Sequence, residues 1–213
     1  PGDMDGDGFD DLAYQDPVSR QWLVWRGSSS GFPSSAIGTG LGTDSDGSQA
    51  IATDLDGDGR REVLVPGSGA SLYRLRGSPS GSFEYSSIGI ANPAPVGGMI
   101  AADVDGDGRD DLVYVKSGSG SIFWRRNLTS GAPSFAAEAV LWTAATGWRL
   151  SSAPFVESEQ RFRSIVRSGD FNGDGRTDLL VRAQVGLWCG KKCTNWMNRW
   201  LVLASNGSTL VQG

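Results

Sequence analysis

Apolar residues occur along the chain in short runs that glycine, proline and polar residues interrupt. One run comes directly after each of four acidic segments, and these runs lie at residues 12–14, 63–65, 112–115 and 179–181. Runs of this length are too short for a helix, and the turn-forming residues that end them favour β-strands. The pattern therefore predicts an all-β protein.

Three further strand segments recur around these runs. A second strand is predicted after a turn, at residues 22–25, 72–75, 122–124 and 200–203. A weaker segment comes next at residues 32–37, 83–90 and 135–142, and a leading strand is predicted at residues 50–52, 99–102 and 165–167. Four short antiparallel strands in a repeat of about 50 residues are typical of β-propeller blades, which need neighbouring blades to bury their faces.

We expect one β-propeller over residues 1–213. Its blades, about four in number, are predicted at residues 1–48, 49–97, 98–163 and 164–213, and the third contains an insertion. The first blade lacks a leading strand, and a last strand is expected near the C-terminus. Either the C-terminal segment supplies the missing strand and closes a small ring, or the chain is a piece of a longer protein. We favour the second interpretation.

The four acidic segments share one pattern. Each has Asp at position one, Asp or Asn at three, Gly at four, Asp at five, Gly at six and Asp or Glu at nine. They occupy residues 3–11, 54–62, 103–111 and 170–178. Because a predicted strand begins directly after each copy, we expect the pattern to form a loop that enters a strand.

The oxygen-bearing side chains of these loops suit Ca²⁺. Alternating acids can converge when a loop curls, and glycine at position six allows the positive φ of a sharp turn. Ca²⁺ takes six to eight oxygen ligands, whereas Mg²⁺ retains several waters and softer metals prefer nitrogen or sulfur. The first half of the pattern matches an EF-hand loop, but the closing acid at position nine does not.

We predict about four bound Ca²⁺ ions, one in each loop. Without a cation, carboxylates packed this closely would repel one another. The predicted ligands are the side chains at positions one, three, five and nine and the main-chain carbonyl at position seven. In chain order they are Asp3, Asp5, Asp7, Phe9, Asp11, Asp54, Asp56, Asp58, Arg60, Glu62, Asp103, Asp105, Asp107, Arg109, Asp111, Asp170, Asn172, Asp174, Arg176 and Asp178.

The composition excludes several classes of function. The chain has no histidine, which removes Ser-His-Asp and Cys-His catalysis and histidine-bound metals. Its net charge is −5, with scattered arginines and no basic footprint for nucleic acid. No apolar stretch approaches the roughly 18 residues that a membrane span needs.

The two cysteines, Cys189 and Cys193, lie in a segment rich in glycine and lysine. Two cysteines cannot form a zinc site without further ligands. We interpret them as a loop-closing disulfide, with free thiols as the alternative, and a disulfide would indicate an oxidising compartment.

These loops and strands resemble the FG-GAP and VCBS repeats of integrin-α-type β-propellers over nearly the whole chain. The resemblance implies that each loop joins the first and second strands of a blade, that its acids hold Ca²⁺, and that a ring has about seven blades. Residues 169–181 and 200–207 are also similar, more weakly, to propeller segments of bacterial RHS-repeat and toxin-complex shell proteins.

The leading functional expectation is a calcium-stabilised binding or scaffold module, secreted or at the cell surface, with a protein or glycan partner. It would be part of a longer chain, without a membrane span, a nucleic-acid partner or catalytic activity. Extracellular calcium is abundant enough to fill weak sites.

A carbohydrate-binding lectin is the first alternative, because the chain has eight tryptophans and exposed tryptophan stacks on sugars. Trp148, Trp188 and Trp196 lie in insertions and are the surface candidates. The strand residues Trp22, Trp25 and Trp200 are expected in the core, since they hold equivalent strand positions.

An enzyme that acts on glycans through paired carboxylates is the second alternative. Outside the four loops the chain has Glu84, Glu138, Glu157 and Glu159, and their positions show no pairing pattern. We therefore expect no catalysis.

Overall fold

The computed structural model describes residues 1–40, 42, 50–67, 71–93, 99–116, 119–129, 132–146, 148–150, 165–186 and 196–212. These residues form sixteen β-strands in four antiparallel sheets, and no helix occurs among them. The predicted all-β class, with antiparallel blades of propeller type, is confirmed. Within the described ranges no helix is long and apolar enough to cross a membrane.

Each sheet contains the strands of one sequence repeat. The first sheet consists of β1 (Leu12–Gln15), β2 (Trp22–Trp25) and β3 (Ile37–Gly38). The second consists of β4 (Ile51–Thr53), β5 (Glu62–Pro66), β6 (Ser71–Gly77) and β7 (Phe83–Ala91). The third consists of β8 (Met99–Ala102), β9 (Asp111–Val115), β10 (Ser121–Arg125) and β11 (Ala139–Thr143). The fourth consists of β12 (Trp148–Arg149), β13 (Ile165–Gly169), β14 (Asp178–Gly186), β15 (Trp196–Ser205) and β16 (Leu210–Gln212).

The chain divides into two compact units, each with two sheets. Unit 1 contains Pro1–Asn92 and Thr129–Ser134, and unit 2 contains Pro93–Leu128 and Phe135–Gly213. The core of unit 1 is formed by Met4, Trp22, Val24, Val63, Val65 and Leu75. These residues come from both sheets and from the first loop, so the two blades of this unit bury their apolar faces together.

The core of unit 2 is larger and is also shared between two sheets. Val113 and Val115 of β9, with Trp124 of β10, pack in the same cluster as Leu179 and Leu203 of the fourth sheet. All five residues of β9 are buried, which explains why its sequence is continuously apolar after the first position rather than alternating.

The strand bounds differ from the prediction in two places. The predicted segment at residues 32–37 is reduced to the short strand Ile37–Gly38. Trp148–Arg149 lies in the insertion that the sequence assigned to the third blade, yet it pairs with β14 of the fourth sheet. The predicted C-terminal strand is β16, which pairs with β15 of its own sheet.

The tryptophans also depart from expectation. Trp22 and Trp200 hold equivalent registers, opposite Gln15 and Arg182, but Trp22 is 2% exposed and Trp200 is 57% exposed. Trp200 lies on the opposite face of β15 from Leu201, which enters the core, because neighbouring residues of a strand point to opposite faces.

The predicted core position of Trp200 is therefore wrong. Trp148, predicted at the surface, packs against the core of unit 2. Trp188 and the side chain of Trp196 lie outside the described part of the chain.

Candidate metal centres

The four acidic loops lie where a leading strand passes to the next strand of its sheet. The second loop connects β4 with β5, the third connects β8 with β9, and the fourth connects β13 with β14. In the first sheet Gly2 forms a single bridge with Asp11 in place of a leading strand. The position implied by the family resemblance is confirmed for the three loops that come after a leading strand.

The third loop shows how the sequence folds this turn. Asp103 Oδ1 accepts a hydrogen bond from the Gly106 N–H at 2.8 Å, and Asp103 Oδ2 accepts one from the Gly108 N–H at 2.9 Å. The two glycines have φ of +78° and +87°, in the left-handed region that favours glycine. Equivalent bonds occur in the other three loops.

The positive φ predicted for the glycine at position six is therefore confirmed. The positive φ of the glycine at position four was missed, although glycine stands there in every copy. That recurrence was the signal that could have revealed it.

The carboxylate at position five turns the chain a second time. Asp107 Oδ1 accepts a hydrogen bond from the N–H of Arg109 at position seven, with an N···O distance of 3.0 Å. The other three loops contain the same bond. The residues at position seven, whose carbonyls are predicted ligands, are Phe9, Arg60, Arg109 and Arg176. Their N–H groups hold the turn, and the ligand role of their carbonyls stays a prediction.

The closing acid at position nine is buried and attaches the loop to the sheet. Asp111 Oδ2 accepts a hydrogen bond from the Val104 N–H at 3.2 Å, and its Oδ1 accepts one from the Asn127 N–H at 2.7 Å. Asn127 lies just after β10, so Asp111 links the start of the loop to the end of a strand. Asp11 and Asp178 form the same two kinds of bond in their own sheets.

Three loops gather carboxylates closely enough for one ion. In each, three acids place a carboxylate oxygen within 4.8 Å of the other two. These groups are Asp3, Asp5 and Asp11; Asp54, Asp56 and Asp58; and Asp103, Asp105 and Asp107. The predicted ligands Asp7, Glu62 and Asp111 are not members of these groups.

The fourth loop differs because an amide stands at position three. Asn172 Nδ2 donates a hydrogen bond to Asp174 Oδ2 at 3.2 Å, and Asn172 Oδ1 accepts one from the Asp174 N–H at 2.9 Å. Asp170 accepts the two glycine hydrogen bonds as in the other loops, and Asp178 is fully buried. The loop has the same backbone turn with one negative charge fewer.

The donor set and the unsatisfied oxygens of these loops fit a hard cation. Asp105 Oδ1 and Asp56 Oδ1 are buried and accept no hydrogen bond from the described part of the chain. A buried carboxylate oxygen without a hydrogen bond is costly, and a cation removes that cost. In the third loop the residues that would hold Ca²⁺ are Asp103, Asp105 and Asp107.

Burial and mutual repulsion shift the pKa values of these acids. The pKa of Asp111 is raised to about 7, mainly by burial and also by repulsion from Asp105 and Asp107, while hydrogen bonds from Asn127 and Val104 oppose the shift. Burial likewise raises the pKa of Glu62 to about 7. Both shifts reflect the cost of a charged carboxylate in these positions when only protein groups surround it.

Arginines that sequence reasoning did not single out contact three of the loops. Arg126 Nε lies 2.5 Å from Asp105 Oδ2, Arg26 Nε lies 3.4 Å from Asp5 Oδ2, and Arg76 contacts the second loop. Each arginine comes one residue after the partner of the first strand residue that follows the closing acid, and Ala204 holds this position in the fourth sheet. The recurrence of arginine before the turn was the available sequence signal.

The cysteine prediction concerns two residues that the structure does not describe. Cys189 and Cys193 both lie outside the described residues. The disulfide stays a prediction.

Adjacent loops are joined by main-chain hydrogen bonds within each unit. In unit 1 the Arg61 N–H donates to the Asp3 carbonyl at 2.6 Å, and in unit 2 the Thr177 N–H donates to the Asp103 carbonyl at 2.7 Å. A further bond links Ser205 Oγ to the Val104 carbonyl at 2.6 Å. An ion that orders one loop would therefore also order the neighbouring blade of the same unit.

Comparison with known families agrees with this geometry. A model of the FG-GAP-like repeat matches three overlapping parts of the chain, at residues 3–65, 54–114 and 103–181. A search of curated proteins finds no significant match. Each matched part begins at the first acid of a loop and ends within the strand after the next loop. The chain belongs to the family of FG-GAP-like repeat proteins.

Proposed function

We propose that this chain is a calcium-stabilised binding or scaffold module that works outside the cell or at its surface. The observation that carries the proposal is the same acidic turn in four loops, three of which bring carboxylate oxygens of three acids within 4.8 Å of one another. A second support is family membership, because FG-GAP repeats are commonly calcium-binding and typical of surface proteins. The partner is a protein or a glycan.

The role proposed for the ions is structural. Each loop connects two strands, and its closing acid attaches it to a third strand of the same sheet. An ion that binds only the folded chain raises the free energy of unfolding by RT ln(1 + [L]/Kd) at each site. Extracellular modules bind Ca²⁺ with Kd values of about 0.1–1 mM, so such sites would fill outside the cell.

Binding, not catalysis, is the proposed activity. The chain has no histidine, and the acids concentrated in the loops are committed to turn hydrogen bonds and to the proposed ions. Glu138 accepts a hydrogen bond from Tyr114 Oη at 2.6 Å and contacts Lys116, so its carboxylate forms structural contacts with β9 and the residue after it. Glu157 and Glu159 lie outside the described residues.

A thermal melt tests the proposal. Protein freed of metal is heated in EDTA, in roughly millimolar Ca²⁺ and in equal Mg²⁺, and unfolding is followed by circular dichroism. We expect Ca²⁺ to raise Tm by many degrees and Mg²⁺ to have little effect. Equal Tm values in the three buffers would overturn the calcium proposal, and a similar rise with Mg²⁺ would overturn its selectivity.

A lectin is the second candidate, and one exposed surface supports it. Trp200, Val202 and Val211 of β15 and β16 are each more than 40% exposed and lie on one face of the sheet, since Val211 pairs with Ala204. Exposed tryptophan within an apolar patch suits stacking on a sugar ring. Glycan-array binding that Trp200→Ala abolishes, and that Phe32→Ala leaves unchanged, would favour a lectin, whereas binding retained in Trp200→Ala would exclude this patch.

A further inference from the structure

The second loop has a cation of its own in the form of a buried arginine. Arg74 of β6 is paired with Leu64 and is 6% exposed. The equivalent position in the other three sheets, opposite the second residue after the closing acid, is Val24, Trp124 or Val202. Only the second sheet has a charged residue at this register position among the four.

Two guanidinium groups face the acids of this loop. Arg76 Nη2 lies 2.7 Å from Asp56 Oδ2 and 2.9 Å from Asp58 Oδ2, so it bridges two predicted metal ligands. Arg74 Nη1 lies 3.6 Å from Glu62 Oε1 and 4.0 Å from Asp56 Oδ2. Arg126 holds the position of Arg76 in the third sheet, so the second loop differs from the third by the added charge of Arg74.

The closing acid of this loop has a different task from its counterparts. Asp11, Asp111 and Asp178 each use both oxygens to accept main-chain hydrogen bonds. Glu62 uses Oε2 to accept one from the Leu55 N–H at 2.8 Å. Its Oε1 is buried without a hydrogen bond, and the guanidinium nitrogens of Arg74 and Arg76 lie 3.6 and 3.7 Å away.

Charge separates the second loop from the third, although their acids are equally close. In both loops the acids at positions one, three and five lie within 4.8 Å, and an arginine at position seven, Arg60 or Arg109, contacts the acid at position five. Beyond that shared pair, the third loop is faced by Arg126, whereas the second is faced by Arg74 and Arg76. Each added positive charge within about 4 Å of a site weakens the attraction for a divalent ion.

We propose that the guanidinium groups of Arg74 and Arg76 replace the metal ion in the second loop, so that the chain binds three Ca²⁺ ions rather than four. The inference rests on the proposed calcium function and specifies which loops carry it out. The second blade would then keep its loop ordered without calcium, while the other three loops depend on it.

Counting bound ions tests the inference directly. Metal-free full chain is titrated with Ca²⁺ by isothermal calorimetry, and bound calcium is counted by equilibrium dialysis at saturation. We expect three ions. Four ions would overturn the inference but retain the calcium function, whereas no bound ion would overturn both, so the two failures are distinguishable.

Matched variants at position one of the second and third loops show which of the two loops binds an ion. Asp103→Asn should lower the count from three to two, because it removes a ligand from a calcium loop. Asp54→Asn should leave the count at three. A count of two for Asp54→Asn would show that the second loop binds an ion and would overturn the inference.

A variant of the second loop without its two arginines tests whether they are the reason that it binds no ion. The triple variant Glu62→Asp, Arg74→Val, Arg76→Ala gives the second sheet the residues that the fourth has at Asp178, Val202 and Ala204. We expect it to bind four ions, with the far-ultraviolet spectrum of the wild type confirming the fold. Arg26→Ala, the control for losing a loop arginine, should leave the count at three. A folded triple variant that still binds three ions would overturn the role of the arginines.

Discussion

The second and third loops of this chain differ at three of their nine positions and fold into the same turn. Both have the Asp at position one that accepts two glycine N–H groups, and both gather three acids within 4.8 Å. In the third loop the closing Asp111 accepts two main-chain hydrogen bonds. In the second loop the closing Glu62 accepts one, and its other oxygen lies 3.6 Å from the Arg74 guanidinium. The comparison teaches that one backbone turn can form in different charge surroundings, because Arg74 and Arg76 face the acids of the second loop and Arg126 faces those of the third.

The largest effect is expected from removing the internal cation. Arg74→Met should lower the free energy of unfolding by about 3–5 kcal/mol, because the buried Glu62 then loses one of the two guanidinium groups that face its Oε1 and keeps only Arg76. Urea denaturation in EDTA measures the loss. The double variant Glu62→Gln, Arg74→Met should recover most of it, and equal losses in the single and double variants would contradict the pairing.

Removing the closing acid of the third loop should have the next largest effect. Asp111→Ala leaves the buried N–H groups of Val104 and Asn127 without an acceptor, at about 1–3 kcal/mol each. Urea denaturation in EDTA should therefore show a loss of about 3 kcal/mol, and the loss in Ca²⁺ should be greater. Asp10→Ala, at the exposed position eight of the first loop, is the control with an expected change of under about 0.5 kcal/mol. An Asp111→Ala chain as stable as the wild type would contradict the role of these two bonds.

The pH dependence of stability should separate the two loops further. The pKa values of Asp111 and Glu62 are raised to about 7 in the folded chain, so folding is favoured when they are protonated. In EDTA, stability should fall by on the order of 2–3 kcal/mol for each of the two groups as pH rises from about 4 to about 7. Thermal melts across this range measure it.

Calcium should remove only the Asp111 part of that fall, because an ion stabilises the charged carboxylates of the third loop. Asp111→Asn should therefore lose the part that responds to calcium, and Glu62→Gln should lose the part that does not. A pH profile that both variants leave unchanged would contradict the assignment.

The smallest effect is expected where the two loops are alike. Gly108→Ala and Gly59→Ala each place a side chain at positive φ, +87° and +85°, where no neighbouring atom lies within 4 Å of the added Cβ. Each should cost about 1–2 kcal/mol from backbone strain alone. Gly120→Ala, also without a neighbour and not at positive φ, is the control and should have little effect. A cost for Gly108→Ala no greater than that for Gly120→Ala would contradict the need for glycine.

Local sequence determined most of the repeat architecture. The apolar run after each loop predicted the strands that contain residues 63–65, 112–115 and 179–181, because a short apolar run bounded by turn-forming residues favours a strand. The glycine at position six predicted its own positive φ for the same local reason. These features depend on residues close in the chain.

Tertiary structure decided the features that depend on the neighbours of each strand. Trp22 and Trp200 share a register but differ in exposure, because burial depends on which face of the sheet packs into the core. Trp148 joined the fourth sheet through pairing with Val185, which lies far along the chain. The contact of Arg74 with Glu62 arises only when β6 pairs with β5. The sequence alone therefore determined the four acidic turns, and strand pairing decided which charged side chains lie beside each of them.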